Sequence, residues 1–71
     1  MTQNARIIQY LEEVGSITPM EAFSELGITK LSTRIGEIER TGVSISRQFV
    51  EGKSRYGDKM RYMRYRLEAE Q

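Results

Sequence analysis

The chain has no cysteine, no histidine and a single proline, and its only aromatic residues are four tyrosines and two phenylalanines. Without cysteine there are no disulfides and no thiolate metal sites, which fits a reducing cytoplasm. Without histidine or cysteine the usual nucleophile–base pairs are unavailable, and zinc loses its preferred ligands. The carboxylates are scattered rather than spaced as a working pair, and no glycine-rich phosphate loop is present. The sequence therefore predicts neither an enzyme nor a cofactor or metal site. No apolar run approaches the roughly 20 residues of a membrane span. The opening Met1-Thr2-Gln3-Asn4 lacks the basic and apolar regions of a signal peptide. A cytoplasmic location is the expectation.

At 71 residues there is room for one domain and one thin core. A chain this short buries only about 60% of the surface that its unfolded form exposes. The net charge of +1 hides an asymmetry. Residues 1–28 carry Arg6 against Glu12, Glu13, Glu21 and Glu25, a net −3. Residues 29–71 carry ten bases against six acids, a net +4. Between Arg40 and Arg66, Arg47, Lys53, Arg55, Lys59, Arg61 and Arg64 are opposed only by Glu51 and Asp58. Such a block suits a polyanionic partner. The plainer alternative is a solubilising hairpin surface.

Ile7, Leu11 and Val14 recur at helical spacing, widened by Ile8 and Tyr10, and predict a helix from Gln3 to Val14 closed by Gly15. Ser16-Ile17-Thr18 is long enough only for a brief strand. Thr18-Pro19-Met20-Glu21 is a strong helix start, with a capping threonine, a first-turn proline and a capping-box glutamate. That helix runs to Leu26, buries Ala22, Phe23 and Leu26, and ends at Gly27. Thr29 reads as the cap of a third helix, Lys30 to about Thr41, with Leu31, Ile35 and Ile38 inward and Gly42 closing it. The period then changes to two. Val43, Ile45, Arg47 and Phe49 alternate with Ser44, Ser46, Gln48 and Val50 as a strand. Gly52 to Lys59 forms a loop, and Met60 to Leu67 a second strand, giving an antiparallel hairpin. Met20 and Met63 read as core fillers and Met60 as lying near the hairpin's base. Residues 1–67 form the domain; Glu68 to Gln71 form a polar tail.

Helix, brief strand, helix, tight turn, helix, hairpin is an α+β order. The residues that carry it are Gly15-Ser16-Ile17-Thr18-Pro19-Met20-Glu21-Ala22, Leu26-Gly27-Ile28-Thr29, Arg55-Tyr56-Gly57-Asp58-Lys59 and Tyr62-Met63-Arg64-Tyr65-Arg66-Leu67. On these the chain resembles the winged-helix superfamily and, more narrowly, the short helix-turn-helix proteins of bacteriophages and prophages. The resemblance covers nearly the whole chain. It implies binding to double-stranded DNA in a phage or bacterial-host setting; a transcription regulator, an excisionase-like architectural factor and an accessory to replication or packaging are the roles that the sequence leaves open, the first two being the expectation. It also leaves room for a homodimer or a larger phage or bacterial protein complex.

In a helix-turn-helix the second helix enters the major groove. With Leu31, Ile35 and Ile38 buried, the outward candidates are Thr29, Lys30, Thr33, Arg34, Glu37 and Arg40. Arginine can donate to guanine, and glutamate can accept from cytosine. The competing reading is a solvated face in which Arg34 or Arg40 pairs with Glu37. On the wing, Lys53, Arg55, Tyr56, Lys59 and Arg61 are candidates for backbone contacts. Arg64 and Arg66 share a face with Tyr62, where they can stack. Gly36, within the third helix, suits close approach of DNA or of the first helix. A rival reading is a winged-helix protein-interaction module using the acidic residues of the first two helices. RNA binding lacks an aromatic platform.

Overall fold

In the computed structural model, which describes residues 2–68, the Thr2 hydroxyl accepts from the Ala5 amide at 3.1 Å and opens α1, Gln3–Val14. Gly15 ends α1 at φ 101°, a left-handed conformation natural to glycine. Thr18 then starts α2, Pro19–Leu26, with a complete capping box. Its hydroxyl accepts from the Glu21 amide at 3.2 Å, and the Glu21 carboxylate accepts from the Thr18 amide at 3.0 Å. Pro19 occupies the first turn, where no amide hydrogen is required.

The third helix, α3, spans Leu31–Arg40. Thr29 does not cap it. Lys30 holds the cap position, and no side chain bonds the free amides. The phase is set one step earlier, by Ile28: its side chain is buried, and its amide donates to the Ala22 carbonyl at 3.0 Å. At the far end Thr41 lies outside α3, its hydroxyl donating to the Ile38 carbonyl at 2.6 Å.

The hairpin consists of β1, Ile45–Lys53, and β2, Lys59–Leu67, paired antiparallel from Ile45↔Leu67 to Lys53↔Lys59. The connecting turn is shorter than the sequence predicts, because Gly52 and Lys53 pair with Met60 and Lys59. The Ser54 hydroxyl accepts from the amides of Tyr56 and Asp58, and Gly57 takes φ 85°, so the chain reverses over Ser54–Asp58. The brief strand after α1 is a single bridge. Ile17 and Tyr65 exchange amide–carbonyl bonds of 2.8 Å in both directions. Three helices and a two-stranded antiparallel hairpin make this an α+β winged helix-turn-helix architecture.

Each element contributes to one core. Ile7 and Leu11 come from α1, Ala22 from α2, Leu31, Ile35 and Ile38 from α3, and Ile45 and Tyr65 from the hairpin, with Ile17 and Ile28 from the connections. Isoleucines supply all the largest fully buried side chains. Each stabilises the fold by roughly 1.5–3 kcal/mol relative to exposure.

Several apolar residues expected inside lie outside: Val14, Met20 and Phe23 are more than half exposed, and so is Phe49 on β1. On α2, Ala22 and Leu26 take the inward side, and Phe23 lies about 100° around the helix from Ala22. Phe49 shares the face of Ile45 and Tyr65 but lies farther along the hairpin, where its cross-strand partner Met63, and not Phe49, packs against the core. Met60 sits opposite Gly52, near the tip rather than the base. Met63 does pack partly buried against the core. Of the expected polar tail, residues 69–71 lie outside the described residues.

Candidate nucleic-acid interface

Because Leu31, Ile35 and Ile38 anchor α3, Thr33 and Arg40 point outward while Arg34 and Glu37 lie beside α1. Thr29, Lys30, Thr33 and Arg40 are exposed, whereas Arg34 and Glu37 are half-buried. These two are joined: Arg34 Nη1 donates to Glu37 Oε1 at 2.9 Å and to Oε2 at 3.1 Å. Asn4 of α1 reaches the same carboxylate, its Nδ2 donating to Oε1 at 3.2 Å. The hydrogen bond from Arg34, then that from Asn4, holds the Glu37 carboxyl below the usual range against partial desolvation, with help from the charges of Arg34 and Arg40. The structure thus realises the Arg34–Glu37 pair rather than a Glu37–Arg40 pair. A Cβ on Gly36 would meet nothing within 4 Å, so close packing of α1 is not what calls for glycine there.

On the wing, Lys53, Arg55, Tyr56, Lys59 and Arg61 are all exposed, as the sequence predicts. Tyr56 is 85% exposed. Tyr65 turns its peptide groups toward Ile17, which makes Arg47↔Tyr65 a non-hydrogen-bonded pair of the hairpin. By alternation Glu51↔Arg61 and Lys53↔Lys59 are pairs of the same, closer kind. Arg61 donates to Glu51 at 3.3 Å, an exposed pair of little energetic weight. Lys53 and Lys59 instead set like charges directly opposite one another, an unfavourable arrangement for an isolated strand pair.

Two residues were not legible as partners in the sequence. Glu39, at the end of α3, accepts from Arg47 of β1, with Nη1 2.9 Å from Oε2. The Arg47 guanidinium also lies 5.7 Å from the centroid of the Tyr65 ring. The contact ties α3 to the base of the wing, and the hydrogen bond from Arg47 holds the Glu39 carboxyl below its usual range. The stacking expected of Arg64 and Arg66 on Tyr62 has no counterpart among the described residues. The cation–π contact found there uses the core-anchored Tyr65 on the other face of the hairpin. Strand alternation places Arg47 on the inner face but says nothing of α3, so only packing reveals this pair.

Among the described residues no helix is long and apolar enough to cross a membrane. Comparison with curated proteins and with solved structures gave no match. A family model for the winged helix-turn-helix domain matches residues 2–70, spanning all the elements described above. The chain therefore belongs to the winged helix-turn-helix domain family, and DNA binding is the general function to which that membership points.

Proposed function

We propose that the protein binds double-stranded DNA with α3 in the major groove and the wing tip on the phosphate backbone. The observation that carries this reading is the wing tip. Lys53 and Lys59 are held opposite each other, Arg55 lies in the turn between them, and none has an ion-pair partner among the described residues. A phosphate placed there relieves the repulsion between the lysines and releases counterions from the DNA. Exposed Lys30, Thr33 and Arg40 give α3 further polar groups toward a groove. The role is that of a small transcriptional regulator or excisionase-like architectural factor, of phage type, in a bacterial cytoplasm. Because one domain offers few base contacts, two copies on paired half-sites are part of the proposal.

Titration of a fluorescent duplex at increasing salt tests the reading. With about five phosphates engaged, log K falls with a slope near −4 to −5 against log salt. A flat response, or no binding to any duplex at low salt, removes it.

A second reading has its own support. Val14, Met20 and Phe23 are exposed on the first two helices, which also carry exposed Glu12, Glu13 and Glu25. An apolar and acidic surface of this kind suits a protein partner rather than a phosphate backbone.

A further inference from the structure

We infer that Arg34 and Glu37 act together as a reader of one G·C base pair, and that Asn4 of α1 is the positioning residue that holds the reader in place. The inference rests on the DNA-binding reading and gives its readout helix a specific target.

The geometry leaves one donor end and one acceptor atom available. Arg34 engages Glu37 through Nη1 alone, and no hydrogen bond among the described residues uses Nη2. Glu37 Oε1 already accepts from both Arg34 and Asn4, whereas Oε2 accepts only from Arg34. The two side chains are 36% and 37% exposed, so they are confined yet reachable. A cation and a carboxylate locked in this way offer a groove a donor beside an acceptor.

That pattern matches one face of DNA. In the major groove guanine presents the acceptors N7 and O6, and its cytosine partner presents the N4 amino donor beside them. Arg34 donates to guanine while Glu37 Oε2 accepts from cytosine. Adenine places an amino group where guanine has O6, setting donor against donor. The reversed pair, C·G, exchanges the two positions and meets the dyad with the wrong sign at both.

The support from α1 is the second strand of the argument. Asn4 lies 33 residues from Glu37 in sequence, so the contact exists only in the folded domain. Around it two buried polar atoms, Asn4 Oδ1 and Arg34 Nε, have no hydrogen-bond partner among the described residues. Unsatisfied buried groups are uncommon in folded proteins and call for an explanation. A fixed orientation of the Arg34–Glu37 pair is what this arrangement provides. Exposed Arg40, on the same helix, has no such restraint and is suited to phosphate rather than to a base edge.

The experiment is selection of binding sites from a random duplex library with the full chain. Affinities are then measured for the selected site and for variants changed at single positions. Wild type has one G·C position at which A·T or C·G weakens binding about 10- to 100-fold. In Arg34→Lys the loss at that position shrinks to within about twofold, since lysine has no second in-plane nitrogen with which to hold Glu37 while the first donates to guanine. Asn4→Ala and Asn4→Asp reduce the discrimination in that order, aspartate more because it repels Glu37. Asn4→Ala leaves affinity for non-specific duplex, its salt slope and the circular dichroism spectrum unchanged, whereas Asn4→Asp, which adds a negative charge, also lowers non-specific affinity. An unaltered base preference in Arg34→Lys overturns the inference while leaving DNA binding intact. Full discrimination in both Asn4 variants overturns the role of Asn4. Failure of the wild type to bind any duplex overturns the inference together with the reading beneath it.

Discussion

On α3, Arg34 is about two-thirds covered, donates to Glu37 and is braced through it by Asn4; at the wing tip, Lys53 and Lys59 stand exposed with only each other opposite. The helix buries Leu31, Ile35 and Ile38 within ten residues, whereas the hairpin is buried only at Ile45 and Tyr65, near its base. A cation with a fixed acidic neighbour presents a direction as well as a charge. A cation repelled by its neighbour presents charge alone and is satisfied by any phosphate. The two regions therefore suit different halves of recognition: position-dependent contacts on the helix, sequence-independent grip on the wing.

The strongest way to break this contrast is through the core. Ile35 has no exposed surface, so Ile35→Ala lowers stability by about 2–5 kcal/mol, a large share of what a domain of this size has. Urea denaturation reads this as a shift in midpoint. In the double variant Lys53→Gln, Lys59→Gln the midpoint stays in place or rises slightly, because a like-charge pair is removed. Its salt slope for DNA binding falls by about 1.8, because two phosphates are no longer neutralised. A midpoint drop comparable to that of Ile35→Ala would show that the wing tip supports the fold and would dissolve the contrast.

Smaller effects sharpen it. Gly36→Ala raises stability by roughly 0.5–1 kcal/mol, since alanine is the better helix former and its Cβ meets open space. If DNA affinity is also unchanged in that variant, clearance for DNA is not the reason for glycine at this position. The smallest effect is that of pH. Glu37 faces Arg34, Arg40 and Asn4, and Glu39 faces Arg47; both carboxyls sit below their usual range. Their contribution is fully present above the ordinary carboxyl range and is lost as pH falls through the lowered native values. The urea midpoint declines on acidification below pH 4.5, and Glu39→Gln reduces the decline.

The bounds of α1 and α2 were readable because local chemistry sets them: a left-handed glycine follows each, and a threonine precedes α2 with its proline and glutamate in order. Thr29 had the right chemistry for a cap and the wrong place, since burial of Ile28 decides where α3 begins. Periodicity identified inward faces but not their extent. Met20, Phe23 and Phe49 are apolar residues that the core leaves uncovered. Within the candidate site, the exposed wing cations were legible from charge and turn residues. Asn4 with Glu37, and Glu39 with Arg47, were not, because each pair joins two elements that only tertiary packing brings together.

The Ile17–Tyr65 bridge bears on the order in which the protein assembles. Its two hydrogen bonds join the connection between the first helices to the last strand, so the fold closes only when β2 is in place. The three helices can gather through interactions between sequence neighbours, but β2 must then reach back across about two-thirds of the sequence to Ile17. A contact of such high sequence separation slows folding more than it adds to stability. During synthesis the helices would emerge and associate first, with the Ile17 peptide groups still bonded to water. The domain becomes complete only when Tyr65 arrives, which makes the last strand a clasp on the finished fold.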